Sequence, residues 1–313
     1  MKTVVPKIHY PFNKGISPYI DLLGQWSERC IREEYSELSD EAREISLKTN
    51  YGDVAAYYYP TASYEKAFPI CRWMIYVGCY DDTFGTMNRR ILEPMNQLID
   101  QVYHGKDLSR ADSDLGMQFL RQVKIITREF RPFATPAWER RFAASNRLFL
   151  EALVTATAYN YKKLVRYPSL QEYLRIRQNI VAVYPCTNMA EIVADFILPP
   201  LLVDHPVIKR INQLTTLLMA FCNDFFSVER ERRDRETMNL ILVLESERGC
   251  SLKEAYAEAM ELNNQFVNEF VELRNSLPEM LELNEPLERY VSTLELMIHG
   301  NLQWHLTTSR HKV

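Results

Sequence analysis

Apolar residues recur at steps of three and four along almost the whole chain, and the residues between them are mostly Glu, Arg, Lys and Gln. This spacing matches one face of an α-helix, which repeats every ~3.6 residues. No Asn-Gly or Asp-Gly pair marks a β-hairpin, and alternating runs of β-branched residues are rare. The sequence therefore predicts an all-α fold.

The periodicity predicts helices near residues 17–34, 63–80, 86–104, 109–128, 136–164, 169–184, 188–198, 206–231, 251–276 and 279–310. Ser169, with Glu172 three residues later, is typical of a capping box at a helix start. Pro185 is predicted to end that helix, because proline disfavours helix in the residue before it. Pro199-Pro200 is predicted to end the next helix, and Pro206 to begin the long helix after it.

The length of 313 residues is compatible with two domains, but no linker divides the chain. Glycine is scarce, at 9 residues, and no Pro-rich or Ser/Gly-rich run separates two halves. A hydrophobic content of 47% is enough for a large core. We therefore expect residues 1–313 to form a single domain.

Charge and cysteine usage exclude several classes of function. The net charge of −4 argues against a nucleic-acid-binding surface. The six cysteines form no CxxC pair and have no zinc-ligand spacing with a histidine, so we interpret them as reduced core residues. The N-terminus lacks the apolar core of a signal peptide, and no uncharged apolar run of about 18 residues predicts a membrane span. These features favour a cytoplasmic protein.

The segment 223–231 reads NDFFSVERE, with an amide at Asn223, a hydroxyl at Ser227 and a carboxylate at Glu231. At about 100° per residue of a helix, Ser227 lies roughly 40° and Glu231 roughly 80° round from Asn223. Three oxygen atoms therefore project from one face, and such ligands suit Mg²⁺. The alternative from these residues alone is a helix with scattered polar residues near an exposed end.

Two adjacent carboxylates, Asp81 and Asp82, follow the apolar segment 73–80. Their mutual repulsion at a helix end is relieved by solvent or by a bound cation. The alternative is a helix C-terminus that reaches water before the turn at residues 83–85. The residues alone favour neither interpretation.

Three arginines are candidates for binding phosphate, since a guanidinium group can donate two parallel hydrogen bonds to it. Arg177 lies on the helix that follows Pro168, Arg230 lies inside the 223–231 segment, and Arg310 lies near the C-terminus. For each of them the alternative is a surface ion pair with a nearby glutamate.

These residues together resemble the class I terpene synthases of the microbial, single-domain type. Asn223, Ser227 and Glu231 match the second metal motif of that family, N-D-x-x-S-x-x-x-E. Arg230 matches the basic residue that usually precedes the glutamate. The resemblance covers most of the chain.

Other parts of the chain carry weaker matches to the same family. Asp81-Asp82 matches the start of its aspartate-rich motif, and Arg177 matches the arginine that senses the diphosphate. Gly300-Asn301, Trp304 and Arg310 resemble its C-terminal segment. Met238-Asn239-Leu240, which follows the second metal motif, is a further weak match to the family.

Two positions depart from the family pattern. The aspartate-rich motif usually has another acid three residues after Asp82, where this chain has Gly85. Metal binding on this side then depends mainly on Asp81, and the resemblance implies that Asp82 is a hydrogen-bond partner of an arginine. The terminal Arg-Tyr pair is Arg310-His311 here, and histidine can still donate a hydrogen bond to phosphate.

The resemblance implies a single-domain antiparallel helical bundle of the class I isoprenoid synthase type, with a central active-site cavity. It implies Mg²⁺-dependent ionisation of a linear isoprenyl diphosphate, with farnesyl diphosphate expected first. Cyclisation or quenching of the cation would give a terpene and free diphosphate. Three Mg²⁺ ions are expected between Asp81 and the face of Asn223, Ser227 and Glu231. A homodimer is a further expectation.

The resemblance also assigns groups to the diphosphate and to the cation. The diphosphate would be bound by Asp82, Arg177, Arg230, Arg310 and His311. A helix break between Ile180 and Tyr184 is predicted to place the backbone carbonyl of Val181 where the family triggers ionisation. Aromatic side chains near the motifs are candidate cavity walls, with core packing as the alternative: Tyr76, Phe84, Phe221 and Trp304.

Other activities remain open at this point. A diterpene synthase acting on geranylgeranyl diphosphate would need the same site residues. A chain-elongating prenyl diphosphate synthase shares the fold and the metals, but normally carries two aspartate-rich motifs. A non-catalytic homologue is suggested by Gly85 and His311.

Overall fold

The computed structural model describes residues 7–85, 87–107, 113–160, 166–281 and 285–310. Its helices are α1 (Ile20–Glu34), α2 (Asp40–Thr49), α3 (Tyr51–Tyr58), α4 (Tyr64–Phe84), α5 (Arg89–Tyr103), α6 (Asp114–Phe130), α7 (Pro136–Asn160), α8 (Leu170–Ile180), α9 (Val183–Val193), α10 (Pro200–Asp204), α11 (Pro206–Asp234), α12 (Leu240–Arg248), α13 (Leu252–Leu281) and α14 (Glu285–Thr307). No strand occurs in these described ranges. The predicted all-α fold is confirmed.

Four of the described helices lie outside the predicted ranges: α2, α3, α10 and α12. Helix α3 is only 8 residues long and is buried on most sides, so it lacks a clear polar face. It follows α2 directly through Asn50, whose φ of 50° interrupts helical geometry without a glycine or proline. Helix α12 begins after Asn239, whose side chain accepts hydrogen bonds from the N–H groups of Ile241 and Leu242, the second and third residues of the helix.

The helix break beside Arg177 lies where it was predicted. Helix α8 begins with the predicted capping box of Ser169 and Glu172 and ends at Ile180. Ala182 then has a φ of 58°, and α9 begins at Val183. The prediction that Pro185 ends a helix is wrong, because it lies in the first turn of α9, where a missing N–H costs no helical hydrogen bond.

Helix boundaries near the predicted site also differ from the sequence pattern. Helix α4 continues to Phe84, so Asp81 and Asp82 belong to its last turn instead of following it. Helix α9 ends at Val193, well before Pro199, because Asp195 has a φ of 53°. The chain turns there without a proline.

Helices α4 and α11 are the most buried long elements of the bundle. Helix α11 contacts α8, α9, α12, α13 and α14, and α4 contacts α3, α6 and α9. Gly300 allows α14 to lie against α3, since a Cβ at this position would come within 2.0 Å of the Tyr57 carbonyl oxygen. The hydrophobic core extends from Ile8 to Trp304. That residues 1–313 form one domain stays a prediction.

All six cysteines are free thiols, and five of them are buried. Burial raises the pKa of the Cys186 thiol to about 12, so it is protonated at neutral pH. This agrees with the interpretation of the cysteines as core residues. Within the described part of the chain, no helix is both long and apolar enough to cross a membrane.

Candidate active site

An aromatic cavity lies between α3, α4, α7, α9, α11 and α14. Its rings come from four different helices: Tyr51, Tyr58, Trp73, Phe149 and Trp304. Aliphatic side chains of α4, α9 and α11 fill the wall between the rings. The result is an apolar space enclosed by large side chains inside the bundle.

Only one of the four ring candidates from the sequence lines this cavity. Trp304 does so, as predicted. Tyr76 and Phe84 instead lie on the far side of α4, where both contact Phe119 of α6. Phe221 stacks on a phenylalanine of α13. The prediction is wrong for these three because each helix is buried on more than one face, and only one face meets the cavity.

A polar recess opens at one end of the cavity, and we call it the mouth. Its charged and amide side chains include most of the predicted site residues: Asp81, Asp82, Arg177, Asn223, Arg230, Glu231 and Arg310. Asp81, Asn223 and Arg310 line the cavity as well as the mouth. The two spaces are therefore adjacent, with charged groups at one end and aromatic groups at the other.

The α11 stripe, which comprises Asn223, Ser227 and Glu231, borders the mouth: Asn223 and Glu231 line it, and Ser227 lies between them along the helix. Ser227 is fully buried, and its Oγ atom has no hydrogen-bond partner among the described residues. Burying a hydroxyl without a hydrogen-bond partner costs free energy. The residues one helical turn before and after Ser227, Asn223 and Glu231, also carry oxygen atoms. This donor set fits the Mg²⁺ predicted from the sequence.

Arg177 occupies the side of the mouth next to Asn223. Its Nη2 donates to Asn223 Oδ1 at 2.8 Å and to Asp224 Oδ1 at 2.5 Å. Burial lowers the pKa of the Arg177 guanidinium, but nearby negative charge, led by Asp224, outweighs this effect and raises the pKa above its ordinary value. The predicted diphosphate sensor is thus held in place by two residues of the 223–231 segment.

Sequence reasoning missed the role of Asp224, although it is the second residue of the N-D-x-x-S motif. It is fully buried and also accepts hydrogen bonds from the Tyr173 hydroxyl at 2.5 Å and the Leu240 N–H at 2.7 Å. Burial raises the pKa of its carboxyl to about 6, while Arg177 opposes the rise. Asp224 forms an ion pair with Arg177, and its contacts join α8, α11 and α12.

Asn239 is a second residue whose role was missed, although it belongs to a segment that weakly matches the family. Its Nδ2 donates to Glu231 Oε2 at 2.9 Å and to the Asp224 carbonyl at 2.9 Å. Its Oδ1 accepts from the N–H of Ile241 at the start of α12. Asn239 thereby orients Glu231, whose other carboxylate oxygen accepts from Arg230 at 3.2 Å.

A further carboxylate in the mouth comes from Glu236. Arg235 has a φ of 59°, and the chain turns back so that the Glu236 N–H donates to the Glu231 carbonyl at 2.8 Å. Burial, followed by the nearby Glu231, raises the pKa of the Glu236 carboxyl to about 7.

Asp81 and Asp82 form the opposite side of the mouth, on α4. The predicted hydrogen bond between Asp82 and an arginine is present, since Arg310 donates to its two oxygens at 2.7 and 3.1 Å. Asp81 is exposed to solvent in the mouth. The protein around its carboxyl still restricts solvation, and this effect, followed by the negative charge of Asp82, raises the pKa of Asp81 above the ordinary value. Arg310 opposes that rise. His311 lies outside the described residues.

Val181 lines the cavity at the break between α8 and α9. Its N–H donates to the Arg177 carbonyl at 3.2 Å, and the left-handed Ala182 follows it. This geometry ties the end of α8 to the arginine of the mouth. That the Val181 carbonyl takes part in ionisation stays a prediction.

Gly85 is held close to Asp81 at the end of α4. A Cβ at position 85 would lie 2.5 Å from the Asp81 carbonyl oxygen and 2.7 Å from its Oδ1. Both separations are shorter than van der Waals contact allows. An acid at this position therefore cannot be added without moving the backbone or the Asp81 carboxylate.

We expect Gly85→Asp to weaken Mg²⁺-dependent diphosphate binding and to lower the free energy of unfolding by roughly 1–3 kcal/mol, as overpacking does. Gly85→Ala is the matched control, because it introduces the same Cβ without a carboxylate and should show most of the effect. Calorimetric titration with diphosphate and Mg²⁺, together with urea unfolding, measures both quantities. Tighter binding by Gly85→Asp than by the wild-type protein would show that the added acid acts as a ligand.

Residues 72–269 match the family model described as terpene synthase family 2, C-terminal metal binding. The chain belongs to this terpene synthase family. The match includes Asp81-Asp82, Arg177 and the 223–231 segment, and it ends before Arg310. The chain is accordingly an enzyme of the terpene synthase class with a metal-binding site.

Relatives of similar length support the assignment. The chain is 28% identical over 312 residues to a (+)-T-muurolol synthase of Roseiflexus castenholzii described as cyclising (2E,6E)-farnesyl diphosphate, covering 97% of this chain and 93% of that protein. It is 24% identical over 311 residues to a germacrene A synthase of Nostoc punctiforme, covering 98% and 94%. A solved a-eudesmol synthase matches with a TM-score of 0.82 at 26% identity, covering 96% of this chain and 99% of that one.

Proposed function

We propose that this terpene synthase ionises farnesyl diphosphate in a Mg²⁺-dependent reaction and converts the cation to a sesquiterpene with release of diphosphate. The observation that carries the proposal is the mouth itself: Asn223 and Glu231 line a polar recess that adjoins an aromatic cavity, and the buried, unpartnered hydroxyl of Ser227 lies between them on α11. The relatives named for farnesyl diphosphate support the choice of chain length.

The metal would be held by Asp81 on one side and by Asn223, Ser227 and Glu231 on the other. Three Mg²⁺ ions are expected from the family resemblance. Bound Mg²⁺ neutralises the negative charge of a leaving diphosphate. The Asn223 amide oxygen accepts a hydrogen bond from Arg177 at 2.8 Å and has a second lone pair that a metal ion would use.

The arginines of the mouth supply hydrogen bonds to the diphosphate. Arg177, Arg230 and Arg310 all line the recess, and Arg177 and Arg310 are already oriented by carboxylates. Groups fixed before the reaction stabilise developing charge without the cost of reorganisation. His311 is expected to add a further donor, and the Val181 carbonyl to face the carbon that loses the diphosphate.

The cavity protects and steadies the cation. An aromatic face contributes about 0.5–2 kcal/mol to binding a nearby cation. Polar atoms in the wall bond to the protein: the Tyr58 hydroxyl donates to Asn301 Oδ1 at 2.7 Å, and Trp73 Nε1 donates to Asn146 Oδ1 at 2.9 Å. Because these polar atoms are already hydrogen-bonded, they provide few partners for ordered water, and early capture of the cation by water is disfavoured.

The proposal is tested by supplying geranyl, farnesyl and geranylgeranyl diphosphates separately, each with Mg²⁺ or with a chelator. Gas chromatography with mass spectrometry identifies the products, and a diphosphate assay measures turnover. We expect sesquiterpenes from farnesyl diphosphate only when Mg²⁺ is present. A preference for geranylgeranyl diphosphate would overturn the substrate assignment. Longer diphosphates formed with isopentenyl diphosphate would indicate elongation, and no release from any substrate would indicate a non-catalytic homologue.

A further inference from the structure

The end of α2 is capped by side chains from the C-terminal part of the chain. Helix α2 ends at Thr49, and Asn50 turns the chain at once into α3, so the last carbonyls of α2 lack helical donors. Ser309 Oγ donates to the Lys48 carbonyl at 3.1 Å, and Trp304 Nε1 donates to the Thr49 carbonyl at 3.3 Å. These bonds hold the end of α14 and the residues that follow it beside the mouth.

The hydroxyl of Thr49 makes a third contact in the same place. It donates its proton to the Ile45 carbonyl at 2.9 Å, one turn back in α2. The hydroxyl oxygen is then left as an acceptor, and Arg310 Nη1 donates to it at 2.6 Å. Thr49 is only 2% exposed, so bulk water does not compete for this bond.

Thr49 and Asp82 hold the guanidinium group of Arg310 from two helices. Asp82 accepts from Nη2 and Nη1 across one edge of the group, and Thr49 accepts from Nη1 at 2.6 Å. An arginine side chain has several rotatable bonds, and a single carboxylate allows it to swing together with that partner. A second acceptor on α2 fixes the position of the planar group relative to the mouth.

Threonine is suited to this place because it carries no charge. Asp82 already offsets part of the positive charge of Arg310, and a second carboxylate would remove more of the attraction for an anion. A neutral hydroxyl orients the guanidinium group and leaves its charge available to a diphosphate. Thr49 itself lines the cavity beside Arg310.

We infer that Thr49 is a positioning residue, which holds the Arg310 guanidinium at the mouth in the orientation that binds the diphosphate group. This inference rests on the proposed function, because it takes the mouth to be the diphosphate site. In this role Thr49 acts through Arg310.

The first test compares Thr49→Val, which keeps the shape and removes the hydroxyl, with Thr49→Ser, which keeps the hydroxyl. Losing a hydrogen bond to a charged group should weaken binding of inorganic diphosphate with Mg²⁺, and lower kcat/KM for farnesyl diphosphate, roughly tenfold each. Thr49→Ser should stay close to the wild-type values. Thr155→Val is the matched control, since the hydroxyl of this exposed α7 residue also donates to the carbonyl four residues before it, at 2.9 Å.

A second test asks whether Thr49 works through Arg310. In an Arg310→Gln background, Thr49→Val should cause no further loss of diphosphate affinity, because coupled residues are not additive. The inference is overturned if Thr49→Val binds diphosphate like the wild-type protein, if Thr49→Ser is as weak as Thr49→Val, or if the loss persists in full without Arg310. Thermal unfolding checks each variant, and Thr49→Ala replaces Thr49→Val if the latter does not fold.

The binding measurement separates this inference from the proposed function. A wild-type protein that binds diphosphate with Mg²⁺ but converts no isoprenyl substrate would refute the proposed reaction, and the Thr49 variants could still be compared. A wild-type protein that converts farnesyl diphosphate while Thr49→Val retains full diphosphate affinity would refute only the role of Thr49.

Discussion

Replacing Asn223 by alanine should reduce turnover of farnesyl diphosphate by at least roughly 100-fold, the scale of losing one preorganised electrostatic group. The substitution removes the amide oxygen at the start of the α11 stripe, and it also removes one of the two acceptors that hold Arg177. The fold should persist, because Asn223 is only partly buried and faces the cavity and the mouth. Steady-state kinetics at several Mg²⁺ concentrations and thermal unfolding measure the two effects.

Asn264→Ala is the control for this experiment. Asn264 is exposed on α13 and does not line the cavity or the mouth, so its replacement should leave both kinetics and unfolding unchanged. Turnover by Asn223→Ala at the wild-type rate, with the same Mg²⁺ dependence, would show that the α11 stripe is not the metal site.

Asp224→Asn is expected to have the largest effect on stability. The substitution keeps the shape of the side chain but removes the charge that compensates Arg177, which is itself 9% exposed. Leaving one partner of a buried ion pair uncompensated costs about 3–5 kcal/mol. The change also weakens the hydrogen bonds from Tyr173 and from the start of α12. Urea unfolding measures the loss, and turnover should fall as Arg177 is released.

Asp204→Asn provides the comparison for Asp224→Asn. Asp204 also pairs with a cationic side chain, Lys209, at 2.8 Å, but both partners are exposed. An exposed pair of this kind contributes about 0–1 kcal/mol. Equal losses of stability in the two variants would mean that burial does not increase the contribution of the Asp224–Arg177 pair to the free energy of unfolding. That result would contradict the role assigned here to this pair.

The sequence predicted those parts of the site that depend only on the spacing of residues close together in the chain. Asn223, Ser227 and Glu231 lie four residues apart on a continuous helix, so their common direction follows from helical geometry alone. The break after Ile180 was also predicted, although Ala182 and not Pro185 turns the chain there. In such cases the information is contained within a few neighbouring residues.

The residues that were missed or misplaced depend on contacts between distant segments. Asp224 bonds to residues of α8 and α12, and Asn239 reaches back to Glu231 from the start of α12. Tyr76 and Phe84 were assigned to the cavity but face α6. Periodicity shows that a face is buried, but it does not show which neighbouring helix covers it.

The sequence by itself determined that the chain is helical and that one helix carries three oxygen-bearing residues on one side, because both properties repeat with the helical period. Only the tertiary structure decided that Thr49 and Asp82 meet at Arg310, and that Trp304 and not Phe221 lines the cavity. These contacts join residues more than 200 positions apart, and their geometry depends on how the helices pack.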